Sequence, residues 1–345
     1  MATKPSIRVI GSLNIDFVTL TPRVPGPGET LSATSMTVHA GGKGANQAVA
    51  CGKAAFTAPG QQDVSVSMIG AVGKGDPYYE SLLRPTLEKS GVSTNHVQEI
   101  EGVQTGTATI IVDEGSNGEN RILFVPGANH QVTDVGKVVE AATKDGVPDV
   151  IVMQGEIPRS TVLGLLEAFN SSDHKTAVIF NPAPVFTEGI PLASLKDLAV
   201  LVVNETECIL VFEAVPELKG TVADLPRPED ITQQHLDVMT AILHERANIS
   251  IVVVTLGARG VYYSANAGSQ RALVSAAKVQ KVVDTTGAGD TFVGYLSTAL
   301  ARHMATPTPA LDKFDLKAAV NTATQAAAKC VQTSGAMESI PFGYE

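Results

Sequence analysis

The stretch best suited to chemistry is a glycine turn between two carboxylates, Asp284-Thr285-Thr286-Gly287-Ala288-Gly289-Asp290. Residues 273–283 before it read as an extended segment. After it, Phe292, Val293, Leu296 and Leu300 recur at helical spacing. Gly287-Ala288-Gly289 therefore falls at a strand-to-helix turn. The first N–H groups of a helix have no partner within it, and the helix dipole adds partial positive charge there. Such a turn suits an anion, most simply a phosphate. A carboxylate beside a phosphate repels it, so Asp290 needs a separate reason to be present. It has one if it takes a proton from a hydroxyl that attacks phosphorus. The plainer reading makes Asp290 a helix N-cap beside two turn glycines.

A second glycine-rich loop, His39-Ala40-Gly41-Gly42-Lys43-Gly44-Ala45-Asn46-Gln47-Ala48, also feeds a run of helix formers, residues 45–55. Its three glycines let backbone approach a ligand closely. The GxxxxGK[ST] and GxGxxG phosphate-loop patterns are absent from the chain. Lys43 and Asn46 are either ligand groups or surface residues of a turn. Upstream, residues 7–10 form a short apolar strand that ends in Gly11-Ser12-Leu13-Asn14-Ile15-Asp16. On an extended chain Asn14 and Asp16 point the same way. They hold hydroxyls of a small polar ligand, or they mark a turn at a strand end.

The elements that must position these groups follow two patterns. Residues 17–37 give short strand-like pieces broken by Pro22, Pro25 and Pro27, and residues 105–112 and 121–125 are strands around a Gly/Asn-rich hairpin loop, 113–120. These pieces are expected to pair as a small sheet apart from the main body. Residues 64–72 read as a buried strand followed by a helix at 77–90, and residues 57–63 as a polar loop. From residue 132, helices at 132–143, 160–170 and 231–247 alternate with strands at 149–153, 177–180, 198–203 and 250–255, with a final Ala-rich helix at 315–331. Residues 213–230 read as a surface insert, 306–309 as a linker and Gly335 as a turn. Alternation of this kind predicts an α/β fold with a mostly parallel sheet covered on both faces. Ligands of such sheets bind beyond the carboxyl ends of the strands. Gln154, Glu156, Asn181, Asn204, Glu207, Thr255, Gly257 and Asp284 all fall at that edge. Any one could be a helix cap, but the whole set is better explained as a site.

Composition narrows the class. The 345 residues are 44% hydrophobic, carry a net charge of −10 and have a pI near 5.2. There is no Lys/Arg run, which disfavours nucleic acid and anionic membranes as partners. Cys51, Cys208 and Cys330 are scattered without CxxC spacing, which fits a reducing compartment. Residues 1–8 do not read as a signal peptide, the last three are not a peroxisomal tripeptide, and no apolar run approaches the ~18 residues of a membrane span. The expectation is a soluble cytoplasmic protein.

In order along nearly the whole chain, the motifs resemble the ribokinase, or phosphofructokinase-B, family of sugar kinases. The resemblance is carried by Gly11-Ser-Leu-Asn-Ile-Asp16, Pro27-Gly-Glu-Thr30, Gly41-Gly-Lys-Gly-Ala-Asn-Gln-Ala48, Pro126-Gly-Ala-Asn129 and Asn181-Pro-Ala-Pro184. It continues through Asn204-Glu-Thr-Glu207, Thr255-Leu-Gly-Ala-Arg-Gly260 and the Asp284–Asp290 turn. The Gly-Gly-Lys-Gly-Ala-Asn form is closer to the ribose-specific branch than to the fructokinase or adenosine kinase branches. The resemblance implies one ribokinase-like domain over residues 1–345, with a small β-sheet lid built from about 14–40 and 103–126. It implies ATP-dependent transfer to the 5-hydroxyl of D-ribose, with Asp290 as base and Gly287, Ala288 and Gly289 as anion hole. Asn14, Ile15, Asp16, Gly42, Lys43, Gly44, Ala45, Asn46 and Glu156 would surround the sugar. Asn204, Thr255, Leu256, Gly257, Ala258, Arg259, Gly260, Gly289, Asp290 and Thr324 would surround the nucleotide. Glu207 would organise Mg²⁺ through water. Asp284, Thr286, Cys330, Thr333, Gly335 and Ser339 match the family's K⁺ site, several of them through backbone carbonyls, although Asp284 could instead simply cap the helix. The lid would close over the sugar and form a homodimer contact.

Two other functions fit less of the pattern. A kinase for a related sugar or nucleoside shares the fold, but Asn14, Asp16, Lys43 and Glu156 disfavour an apolar base pocket. A non-catalytic sugar or nucleotide sensor would not need Asp290 and the glycine turn intact.

Overall fold

The computed structural model describes residues 4–116, 119–170, 176–307 and 309–345. Parts of the expected hairpin loop (117 and 118), of the 306–309 linker (308) and of the N-terminal segment (1–3) lie outside the described residues. In chain order the elements begin with β1 (Ser6–Ile10), β2 (Asn14–Thr21), β3 (Ser35–Gly41), α1 (Lys43–Ala54), β4 (Phe56–Ala58), β5 (Gln61–Gln62) and β6 (Ser65–Gly73). A π-helical turn, Tyr79–Leu83, opens α2 (Arg84–Lys89), and β7 (Val92–Ile100), β8 (Gly106–Asp113) and β9 (Glu119–Val125) follow. Next come α3 (Val135–Thr143), β10 (Val150–Met153), α4 (Arg159–Phe169), β11 (Ala177–Phe180), β12 (Val200–Asn204), α5 (Glu205–Ala214) and α6 (Gln233–Ala247). The chain finishes with β13 (Ile251–Thr255), β14 (Val261–Ala265), β15 (Gln270–Val274), α7 (Ala288–Met304) and α8 (Leu316–Cys330).

The main sheet has the order β15-β14-β13-β12-β11-β10-β1-β6-β7. Strands β13 through β7 in that order pair in parallel, and β14 and β15 add an antiparallel edge. Both faces are covered. Val150 and Val152 of β10 pack into the cluster that holds α1, α7 and α8, while Ile151 and Met153 pack into the cluster that holds α4, α5 and α6. This is why the strands read as apolar runs rather than as alternation.

The second sheet has the order β3-β2-β8-β9 and is the separate small sheet expected from the sequence. Its central pair, β2 with β8, is parallel, and the two outer pairs are antiparallel. Asn14 lies opposite Gly41 on one side and Gly106 on the other, so the sheet leaves the body at the point where the candidate ligand groups begin.

Several expectations are corrected by the structure. Residues 273–283 are not one extended strand, because pairing ends at Val274. Beyond it, Val282 and Val283 are about half exposed, and Val283 and Asp284 donate their N–H groups to the Val331 carbonyl at the end of α8. A helix end rather than a neighbouring strand therefore holds this approach to the glycine turn. Residues 57–63 are not a plain loop but the β4–β5 hairpin, turned at Gly60 with φ +74°. The helix expected from 132 starts at Val135, because the Asp134 carboxylate caps it by accepting from Lys137 N. β7, α5 and β14 were not foreseen.

One buried side chain ties the small sheet to the body. Asn129 is fully buried. Its Oδ1 accepts from Leu13 N at 2.9 Å, and its Nδ2 donates to Asn14 Oδ1 at 2.7 Å and to Leu13 O at 3.2 Å. Truncating it leaves a buried N–H and the Asn14 amide oxygen without partners. Asn129→Ala is expected to cost about 1–3 kcal/mol in stability, as removal of a partner from a buried polar group does. Chemical denaturation checks this, and an unchanged midpoint would show that these bonds are replaced without loss.

Candidate active site

The site is set by how α1 crosses α7. Gly294 faces α1 so closely that a Cβ there would lie 2.3 Å from the Ala50 Cβ. That contact aligns the first turns of the two helices. Asp290, 9% exposed, then accepts from Asn46 Nδ2 at 3.0 Å and from Gln47 Nε2 at 2.9 Å. Asp290 is not the N-cap of α7. Gly287 takes that position in a left-handed conformation (φ 78°), and its own Cβ would press on the Ala336 carbonyl at 2.9 Å. Thr291 N makes the first bond inside the helix, to Gly287 O. The N–H groups of Gly289 and Asp290 precede it, and Gly289 is exposed with no atom within 4 Å of where a Cβ would stand. Among the described residues these two donors have no partner, and donors of that kind at a helix N-terminus beside open space would suit an anion as a cradle.

The groups expected around a sugar gather next to Asp290. The Glu156 Oε2 accepts from Ser12 Oγ at 2.5 Å and from Lys43 N at 3.0 Å. Gly44 N donates to Ser12 Oγ, and a Cβ on Gly44 would collide with the Gly11–Ser12 backbone. The loop therefore needs glycine there to pack against the Gly11–Ser12 turn that follows β1. Asp16 lies against Gly41, where a Cβ would meet its Oδ2 at 2.1 Å. Burial, with Glu156 and Glu338 adding repulsion, pushes the Asp16 carboxyl up to about 7. Burial works against the Lys43 charge, but Asp290, Glu156 and Glu207 outweigh it and hold that ammonium's pKa up. Asn14 turns its oxygen to Asn129. Gly42 carries a positive φ of 90°, and Ala45 and Ile15 are buried.

On the other side of the glycine turn lies a cavity of about 510 Å³. Of the residues assigned to the nucleotide from the sequence, Thr255, Gly257, Ala258, Gly260, Gly289 and Thr324 line it, and so do Ala288, Val279, Val282 and Phe292. Four expected nucleotide residues, Asp290, Leu256, Arg259 and Asn204, do not line it, and the Asp290 carboxylate faces Asn46 and Gln47 instead. Leu256 is buried in the core. Arg259 donates to Ile231 O at 2.6 Å and pairs with Glu205 at 3.2 Å. Asn204 and Glu207 form a capping box on α5, with Glu207 N donating to Asn204 Oδ1 and Asn204 N donating to Glu207 Oε2. Burial raises the Glu207 pKa in spite of that bond.

Asp284 stands apart, one turn upstream of the cradle. Its Oδ1 accepts from Thr286 N at 2.9 Å and its Oδ2 from Gly335 N at 3.0 Å. Burial opposes its charge, but these bonds and nearby His39 bring its pKa below the ordinary value. The Cys330 thiol reaches the Thr286 carbonyl at 3.8 Å and Ser339 Oγ at 3.0 Å. Five of the six expected cation residues are thus gathered. Thr333 is exposed, and only its N–H bonds into the group, to Cys330 O.

The sequence reading passed over Ser12, Asn129 and above all Gln47. Gln47 and Asn46 are adjacent amides in α1, a helix whose residues after Lys43 are all buried. A polar pair in a helix with no solvent face must find partners, and that was the available signal.

A family model described as pfkB family carbohydrate kinase matches residues 4–342. A ribokinase of Schizosaccharomyces pombe is 36% identical over 340 residues, covering 97% of this chain and 95% of that one. The structure of a Cryptococcus neoformans ribokinase in complex with ADP matches at 31% identity with a TM-score of 0.75, covering 98% of both chains. An Arabidopsis thaliana ribokinase complexed with ribose and ATP matches at 26% identity with a TM-score of 0.77, covering 99% of this chain and 97% of that one. Its motifs, its sheet order and these likenesses agree: the chain belongs to the pfkB family of carbohydrate kinases and is a sugar kinase.

Proposed function

We propose that the chain transfers the γ-phosphoryl group of ATP to O5 of D-ribose. The observation that carries this reading is the place of Asp290. Its carboxylate, aimed by two amides, stands between the polar group of Asn14, Asp16, Lys43, Asn46 and Glu156 and the cavity beyond Gly289. A ribose hydroxyl presented there gives its proton to Asp290 as its oxygen attacks phosphorus, and ADP leaves with the electron pair of the broken P–O bond. The N–H groups after Gly287 face the charge that develops on the transferred group. Carboxylates and amides that pair with hydroxyls reject a ligand lacking them, which favours a polyhydroxylated sugar over a nucleobase. The relatives named as ribokinases, one of them complexed with ribose and ATP, support the choice of substrates.

Metal needs follow from the same chemistry. Among the described residues no three His, Cys, Asp or Glu side chains gather closely enough to hold a metal ion. Mg²⁺ would therefore arrive with the phosphates, keep most of its water, and meet Glu207 through one of those waters. The oxygen-rich group of Asp284, the Thr286 carbonyl and Ser339 suits a hard monovalent cation such as K⁺, which would stiffen the cradle beside it. The small sheet would close over the sugar as a lid. Its edge strand β9 exposes Ile122, Leu123, Phe124 and Val125. An uncovered apolar edge is an aggregation hazard, and a second copy of the chain would cover it. Light scattering that found only monomer at micromolar concentration would remove that part of the reading. Among the described residues no helix is long and apolar enough to cross a membrane, and we place the enzyme in the cytoplasm.

Asp290→Ala is expected to lower kcat by about a hundred- to ten-thousand-fold while ATP binding by calorimetry persists. A kcat near that of wild type would take the base role from Asp290. Replacing K⁺ with tetramethylammonium at constant Mg²⁺ is expected to depress the rate, and an unchanged rate would count against the cation site. Asp16 gives a pH signature. Its folded pKa of about 7 lies above its unfolded value, so the folded state binds the proton more tightly. Ionising Asp16 therefore costs stability as pH rises from the ordinary carboxylate range through about 7. The ligand-free wild type is expected to lose more melting temperature than Asp16→Asn between about pH 5 and about pH 8. Parallel curves for the two proteins would contradict it.

A further inference from the structure

Gln47 is fully buried, and its amide orientation is dictated by its neighbours rather than chosen. Asn181 Nδ2 donates to the Val202 carbonyl at 2.9 Å, and a backbone carbonyl can only accept. The Asn181 oxygen must therefore be the atom that faces Gln47, 3.0 Å from its Nε2. The other oxygen facing that nitrogen belongs to the Asp290 carboxylate, 2.9 Å away, which is also an acceptor when ionised. Both hydrogens of the Gln47 amide are thus committed, one to each. Its Oε1 in turn accepts from Gln154 Nε2 at 2.7 Å. This leaves Gln154 Oε1 buried with no partner among the described residues, pressed against Gly11, where a Cβ would come within 2.0 Å. An unpaired buried acceptor costs free energy, so the frame holds Gln47 in one orientation in spite of it. The same Asn181 amide reaches Glu207 Oε2 at 3.4 Å.

We propose that Gln47 is a positioning residue that locks the Asp290 carboxylate in its working orientation and, through Asn181, ties it to Glu207. The inference rests on Asp290 being the base, and it adds that the proton-accepting carboxylate and the carboxylate facing the nucleotide's metal share one hydrogen-bonded frame. Asn46 contributes differently. It also donates to Asp290, but its own Oδ1 is buried without a partner among the described residues, so it is not held from its far side as Gln47 is.

The test compares Gln47→Leu and Gln47→Glu with wild type, using whichever sugar the wild type phosphorylates. Loss of one hydrogen bond to an ionised carboxylate predicts a fall in kcat of about 10- to 100-fold for Gln47→Leu, with the KM for sugar changed less than about threefold. The acid limb of its pH profile should move to higher pH, because the ionised form of Asp290 has lost a donor. Gln47→Glu is close in shape and can donate only when protonated. Its kcat relative to wild type should therefore rise as pH falls. Calorimetry supplies a readout independent of turnover: the gain in ADP affinity on adding Mg²⁺ should shrink in Gln47→Leu, while ADP alone binds as in wild type. Unmoved pH profiles in both variants, or an unchanged Mg²⁺ gain, would overturn the proposal even if kcat fell. A wild type that phosphorylates no sugar would instead contradict the proposed function, and the calorimetric comparison would still decide whether the frame reaches Glu207.

Discussion

The close crossing of α1 and α7 is the constraint on which the rest of the site depends. With only hydrogen at Gly294, the two helices approach until Ala50 touches backbone. At that distance the short amides of Asn46 and Gln47 reach a carboxylate on the facing helix. A methyl group at the crossing would push the helices apart, and the Asp290 bonds would lengthen with it. The glycine loops before each helix serve the same end. Gly44 lets α1 start against the Gly11–Ser12 backbone, and Gly287 lets α7 start against the Ala336 carbonyl.

Placing Asp16, Glu156, Glu207 and Asp290 in one partly buried region is electrostatically expensive. The structure offsets that cost in three ways. Lys43 sits among them, and its ammonium is held charged by Asp290, Glu156 and Glu207. Amide and backbone donors satisfy Asp290, Glu156 and Glu207 individually. Asp16, which has the least such help, has its pKa pushed up to about 7. The residual excess of negative charge would repel a phosphate donor that came without cations, and backbone N–H groups at the start of α7 add positive field there without adding another side chain.

Much of this was legible in the sequence where a residue type has few uses. The glycine turn with Asp290, the loop at Gly42 to Asn46 and the strands of the small sheet are read from glycines, prolines and short strand-like runs, and the structure brings them near one another. β7 escaped notice because Val92–Ile100 lies at a sheet edge and carries Ser93, Thr94, Asn95, Gln98 and Glu99, with little apolar signal. α5 was hidden because Asn204 and Glu207 were weighed toward ligand groups over helix caps, when the pair is a capping box that starts a helix. The segment after Val274 looked like a strand because Val279, Val282 and Val283 recur there. Two of those, Val279 and Val282, line the cavity instead of a core. The adjacent amides at 46 and 47 signalled that Gln47 needs partners, but which partners, Gln154 and Asn181 among them, is fixed only in three dimensions.

The central claim is that this site moves a phosphoryl group to a ribose hydroxyl. The most direct measurement is ³¹P NMR of the product formed from MgATP in K⁺ buffer with ribose, deoxyribose, fructose, adenosine or no acceptor. A phosphate ester on O5 of ribose is expected, formed at a higher kcat/KM than with any other acceptor. Transfer to another acceptor at tenfold higher kcat/KM, or binding of ribose and ATP with no ester formed, would contradict it.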